Sequence, residues 1–277
     1  MLHVIDAGIL AYRPAWELQL RLHEQVLDGT YPQGALILLE HPPVITVGRR
    51  TDAQKNLLAS PKMLAARGVE LVETDRGGDI TFHGPGQLVA YPIIPLNAYN
   101  LNLHAYMRLL EQVVIDTLTK FNITAHRDPP PCSATGVWVT PPTASAATAD
   151  RSDENTPRPT APSAKIAAIG IKVRRWTTLH GLALNVCTDL AFFDLINPCG
   201  LSRPVTSMQR LLGGRMLSMG AVKESLINAF NQRFALSLEG VLKPIHDAYR
   251  NSGMTEDQLG ELIVKAKKDM HAERRPE

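Results

Sequence analysis

Residues 69–94 read VELVETDRGGDITFHGPGQLVAYPII. Three β-rich runs follow one another here: Val69–Thr74, Asp79–Phe82 and Leu88–Ile94. The connections between them are short and polar or glycine-rich, and His83-Gly84-Pro85-Gly86 forms a turn cluster between the last two. Upstream, Ala35–Glu40 and Val44–Val47 are strands parted by His41-Pro42-Pro43, which cannot be helical. A helix is expected over Ala15–Leu27, opened by Pro14, with a strand before it at Leu2–Ile5 and a short helix later at Pro61–Arg67. Downstream, Ala105–Phe121 carries apolar residues near the 3.6 period. Strands follow at Val137–Thr140, Lys165–Arg174 and Thr178–Val186, then helices at Ser207–Leu212, Ala221–Phe234 and Glu256–Lys267. Strands and helices mix without a regular βαβ alternation. That predicts an α/β (α+β) domain, a mixed β-sheet with flanking helices rather than a doubly wound sheet.

Composition narrows the classes. The chain has 277 residues, 44% of them hydrophobic and 20% charged, an ordinary globular balance. Lys and Arg total 29 against 27 Asp and Glu, so the net charge of +2 leaves no polyelectrolyte footprint and no nucleic-acid partner is expected. No run approaches the roughly 18 apolar residues of a membrane span, and the acidic residues near the start do not suit a signal or transit peptide. Three cysteines without a CxxC pair suit a reducing, cytoplasmic setting rather than a disulfide framework.

Residues 141–163 stand apart, rich in Pro and Ala with nothing apolar larger than Ala. Such a segment buries too little surface to offset its ordering entropy, so a disordered insertion is expected. The remainder divides into a catalytic domain over residues 1–235 and a helical extension over 236–277.

Chemistry-bearing residues concentrate in three places. Arg76–Gln87 mixes four glycines with Arg, Asp, Thr and His, which lets backbone approach a ligand while polar groups converge. The same residues also permit two tight turns, with Arg76 and Asp79 as a surface pair. Lys165 opens the small-residue strand KIAAIG, and Cys199 sits on a turn between Pro198 and Gly200. Cys187, in an apolar run, reads as core, and Cys132 as a loop thiol. A thiol near pKa 8.5 needs a neighbouring cation or base to become nucleophilic, and Lys165, His83 and His180 are the candidates. The histidines show no HExxH spacing, so no metal is expected, and no GxSxG or P-loop is present.

Taken together, RGGDITFHGPGQ (76–87), KIAAIG (165–170), HGLALNV (180–186) and NPCGL (197–201) stand in the order seen in the octanoyltransferases of lipoate biosynthesis, and the chain resembles that family over about residues 2–235. The resemblance implies a biotin/lipoate protein ligase-like fold. It implies transfer of an octanoyl group from octanoyl-acyl carrier protein to a lysine of lipoyl domains in 2-oxoacid dehydrogenase or glycine cleavage proteins, with no cofactor. On it, Cys199 becomes the acyl-thioester residue and Lys165 the group that lowers its pKa. The acyl pocket falls on Arg76, Gly77, Gly78, Asp79, Ile80, Thr81, Phe82 and His83, on Ala168, Ile169 and Gly170, and on Gly181, Leu182 and Ala183. An ATP-dependent ligase of the same fold is the nearest rival.

Overall fold

The computed structural model describes residues 2–128, 130, 134–141, 162–197 and 203–252, with helical backbone alone from 238 onward. Its centre is strand β2 (Ala35–Glu40), whose ALILL run is apolar at every position because both faces are buried. Leu36 and Leu38 point into one core, and Ala35, Ile37 and Leu39 point into a second on the opposite face.

Strand β1 (His3–Ile9) lies parallel to β2 at one edge of a seven-stranded sheet. On the other side of β2 the order continues through β6 (Gln87–Ile93), β10 (Thr177–Asn185), β9 (Ala164–Arg174), β8 (Val137–Val139) and β7 (His126–Arg127), all antiparallel. Helix α1 (Tyr12–Leu27) covers one face with Ala15, Leu22 and Val26. The other face carries α3 (Leu103–Thr119) and, beyond the short α4 (Met208–Leu211), α5 (Met219–Ser252); α3 and α5 add Tyr106, Leu110, Val114, Leu226 and Phe230 to the larger core. Asn102 starts α3 by accepting the Ala105 N–H at 2.9 Å.

A second sheet of three strands packs beside the first. In it β3 (Val44–Val47) runs parallel to β4 (Glu70–Glu73) and antiparallel to β5 (Ile80–His83). Its core takes in Leu64 of the short helix α2 (Pro61–Ala66) and Leu195. Phe82 is buried there, with its ring stacked on Phe192 at 4.7 Å. The mixed-sheet expectation therefore holds. The strand run that opened the sequence analysis splits between two sheets: β4 and β5 belong to the small one, β6 to the large one.

Two expectations need correction. Cys187 is exposed rather than core, because β10 ends at Asn185 and the chain then turns, with the Cys187 N–H bonded to the Gly86 carbonyl. The helix expected to end at Phe234 runs on to Ser252, so no backbone break marks residues 235–236. Residues 142–161 of the expected insertion and the helix expected at Glu256–Lys267 lie outside the described residues.

Candidate active site

The loop between β4 and β5 is held on both sides by backbone. Gly48, Arg49 and Arg50 donate their N–H groups to the carbonyls of Asp79, Arg76 and Gly78 at 3.1, 3.1 and 3.2 Å. From the other side, the Gly77 N–H donates to Ile171 of β9 at 2.8 Å. A Cβ at Gly170 would stand 2.8 Å from the Gly77 carbonyl, so this approach of loop to strand requires glycine. Arg76 and Asp79 are both buried, and they are not a surface pair. The Arg76 guanidinium donates to the Thr46 carbonyl (2.7 Å) and hydroxyl (2.9 Å), while Asp79 accepts from Asn56 at 3.0 Å through each oxygen.

Between this loop and strands β6, β9 and β10 lies a cavity of about 400 Å³, within the roughly 300–1,000 Å³ range of small-ligand pockets. Arg76, Gly78–Thr81 and His83 line it, as do Ala168–Gly170, Gly181–Ala183 and Lys165. Two regions far apart in the chain, the 76–83 segment and the β9–β10 hairpin, thus share one wall. Gly77 and Phe82 do not line it: one is committed to β9, and the other packs in the small-sheet core. Cys199 lies outside the described residues, as does Cys132.

The floor is polar and includes residues that no motif singled out. Tyr12 of α1 and Tyr91 of β6 line the cavity beside His83 and His180, and His41 stands behind them, 5.7 Å from His83 between ring centres. Burial pushes His83 down to about 3 and His41 down to about 4, so both are neutral at neutral pH. Burial also lowers His180, against the opposing pull of Asp75.

Their partners then fix the tautomers. His180 Nε2 donates to Asp75 at 2.7 Å, which leaves Nδ1 to accept from the Tyr12 hydroxyl at 3.4 Å. Hydrogen bonding from His180 holds the Asp75 carboxyl down at about 2, with Lys172 assisting at 2.6 Å. His41 Nδ1 donates to the Leu10 carbonyl at 2.6 Å, and its Nε2 accepts from Tyr91 at 2.8 Å. His83 Nδ1 donates to Gln87 Oε1 at 2.7 Å, because the Gln87 amide nitrogen is already given to Phe82 and Asn185. Of the three cation candidates, two are imidazoles held neutral. Lys165 remains.

Lys165 is aimed by a bulge. Val137 pairs with Ala167, yet Trp138 pairs with Lys165, so Ile166 is an extra residue in β9. The Lys165 Nζ donates to the Thr135 carbonyl at 3.2 Å and lies 4.7 Å from the centre of the Trp138 ring. Its backbone is zipped to the chain that follows residues 198–202. The Lys165 N–H donates to Pro204 at 2.8 Å, and Thr206 donates back to the Lys165 carbonyl at 2.9 Å. On the other side of 198–202, the Asn197 N–H is anchored to the Asn56 carbonyl at 2.7 Å. Among the described residues, no group of three or more His, Cys, Asp or Glu is placed to hold a metal ion, and no helix is long and apolar enough to cross a membrane.

The class of protein follows from the sequence: residues 11–231 match the lipoyl protein ligase A/B catalytic domain. The fold also matches solved structures at low sequence identity. A putative lipoate protein ligase from T. acidophilum aligns with TM-score 0.56 and 14% identity over 92% of this chain and 98% of its own. A bi-partite lipoate protein ligase from Thermoplasma acidophilum aligns with TM-score 0.58 and 13% identity over 89% and 93%. Sequence similarity is more selective. The octanoyltransferase of Gloeobacter violaceus is 41% identical over 85% of this chain and 91% of its own length. That of Koribacter versatilis is 45% identical over 77% and 76%. The chain belongs to the octanoyltransferase family and is an acyltransferase.

Proposed function

We propose that this chain moves an octanoyl group from octanoyl-acyl carrier protein to a lysine of lipoyl domains, through a thioester on Cys199, in the lipoate biosynthesis of the cytoplasm. The observation that supports this best is the single cavity joining Lys165 to all three loop and strand segments of the acyl pocket. In the first step the Cys199 thiolate attacks the donor thioester carbonyl, and the carrier's pantetheine thiolate leaves and takes up a proton. One thioester replaces another, so the step is near thermoneutral. In the second step the acceptor lysine amine attacks the Cys199 thioester, an amide forms, and Cys199 departs as thiolate.

Lys165, as an ammonium, favours the first thiolate. It gives its proton to the departing pantetheine thiolate and, now an amine, takes up the proton that the attacking lysine sheds, which restores the ammonium beside the Cys199 thiolate. His83 is a poor substitute, since a base pushed down to about 3 with its Nδ1 proton bound to Gln87 has little capacity at neutral pH. Ile80, Ala168, Ile169, Leu182 and Ala183 offer an apolar wall to the acyl chain. At about 0.8 kcal/mol per buried CH₂, an eight-carbon chain gains roughly 5 kcal/mol there.

The fold is shared with lipoate protein ligases, so architecture alone does not choose between transfer and ATP-dependent ligation. Intact-protein mass spectrometry after mixing with octanoyl-acyl carrier protein, without ATP, does choose. The expected result is an octanoyl adduct on the wild type, absent from Cys199→Ala, that passes to an added lipoyl domain. Acylation only when ATP and free octanoate are supplied would overturn the reading.

A further inference from the structure

We propose that the Asp128–Arg203 ion pair, stacked on Trp138, is a clasp that positions Lys165. The inference rests on the acid–base role given to Lys165 above, and it assigns roles to three residues that lie outside the acyl-pocket segments.

The clasp joins two pieces of chain that each touch Lys165. The first is the turn 134–136, whose Thr135 carbonyl receives the Lys165 Nζ. This turn is tied down from beneath. Asp128 Oδ2 accepts the Ala134 N–H at 2.8 Å, and the Trp138 indole N–H donates to the Ala134 carbonyl at 3.2 Å. The nearly fully buried Glu111 of α3 accepts the Gly136 N–H at 3.2 Å and is itself paired with Arg108 and Arg127 at 2.7 and 3.1 Å. Gly136 has φ +127°, and a Cβ there would come within 2.7 Å of the Ala167 carbonyl and 3.4 Å of Lys165 Cε. The lysine stem therefore crosses the turn at a point where only glycine leaves room.

The second piece is the segment 203–206, which brackets the Lys165 backbone through Pro204 and Thr206. Arg203 closes the ring. Its guanidinium sits 3.5 Å from the centre of the same Trp138 ring that Lys165 approaches, and it donates to Asp128 Oδ1 at 2.7 Å. Asp128 thus holds the turn through one oxygen and the 203–206 segment through the other. Its side chain is 3% exposed, so the pair is screened little by solvent and its geometry is constrained. The Lys165 charge also acts on Asp128 and helps lower its pKa, so the same carboxylate faces both cations.

The test is a double-mutant cycle of Asp128→Asn and Arg203→Gln, with Arg203→Lys as the conservative variant and Lys165→Ala as reference. Steady-state octanoyl transfer is measured for kcat and KM across the neutral pH range, together with Lys165 reactivity toward a small acylating reagent. A displacement of about 1 Å costs up to about a hundredfold in rate. Each single variant is therefore expected to lose tenfold to a hundredfold in kcat, with KM held within a few-fold and a shifted pH profile. The double variant should be no worse than the singles, and Arg203→Lys should recover part of the loss. Arg203, with its side chain 23% exposed, is the substitution least prone to unfold the chain, and unfolding midpoints exclude that cause. Clasp variants with wild-type kcat and an unaltered pH profile, beside an inactive Lys165→Ala, would overturn the clasp alone. An active Lys165→Ala would overturn the role of the lysine and the clasp with it.

Discussion

Two polar regions border the same cavity and are built in opposite ways. Around His41, His83 and His180, each ring is buried, neutral and bonded at both nitrogens or held against a hydroxyl, with donor and acceptor directions settled by the partners. Around Lys165, the side chain reaches the Thr135 carbonyl and the Trp138 ring face within the field of Asp128, and its neighbours are bound to one another. A buried network with every partner satisfied is rigid and chemically quiet, while a lysine ammonium that lines the cavity carries a proton it can exchange. Residues with suggestive chemistry are thus not equally available for it. On the proposed mechanism the histidines form the scaffold, and the lysine is the reagent.

The sharpest way to break this contrast is to remove one residue from each region. Lys165→Ala should lower octanoyl transfer by about 10²–10⁴-fold, the usual worth of a proton-transfer group. His83→Ala should cost much less and leave the pH–rate profile unmoved. Equal losses, or a changed profile for His83→Ala, would erase the distinction. A large effect of another kind is expected at Phe82, which supports the glycine-rich loop from the small-sheet core without lining the cavity. Phe82→Ala should cost about 3–5 kcal/mol in chemical unfolding, as for other buried aromatics.

Acid should expose the scaffold itself. With folded values of about 3 and about 4 against about 6.5 unfolded, His83 and His41 bind protons more readily in the unfolded chain. Their contribution to stability is complete above about pH 6.5 and falls as pH drops toward 4, by up to about 1.4 kcal/mol per unit and per ring. Denaturant midpoints that fall distinctly less between pH 6.5 and 4.5 in a His41→Phe, His83→Phe variant than in the wild type, the remainder coming from groups such as His180, would confirm the source. The smallest effect belongs to Arg50. Its 3.5 Å pair with Asp79 is largely exposed on the arginine side, so Arg50→Ala should change stability by less than about 1 kcal/mol.

The same contrast explains what was legible in the sequence. Lys165 and the wall residues lie in short contiguous segments whose small and polar residues stand out, and β2 and β3 were read to the residue because apolar runs bounded by Gly34, His41 and Pro42-Pro43 leave little choice. Tyr12, His41 and Tyr91 were not read as site residues. Each looks like an ordinary amphipathic or strand position, and only the packing of α1 on the sheet brings them to one floor. Cys187 looks like core in the sequence because the apolar run continues past Asn185, where backbone pairing stops. The length of α5 is masked because Gly240 and Pro244 read as helix breakers, although Leu238, Val241, Leu242 and Ile245 keep helical spacing past Phe234. Trp138 and Asp128 gave no signal at all, since their importance comes from partners at 165 and 203.

The most direct test of the central claim is to observe the imidazoles. Two-bond ¹H–¹⁵N correlation spectra of the ring nitrogens, assigned with His→Gln variants and followed through the neutral range, report charge and tautomer together. The account predicts that His41, His83 and His180 remain neutral throughout, with the proton on Nδ1 in His41 and His83 and on Nε2 in His180. A ring among these three that titrates near 6.5, or that carries the opposite tautomer, would contradict the assignment of scaffold and reagent.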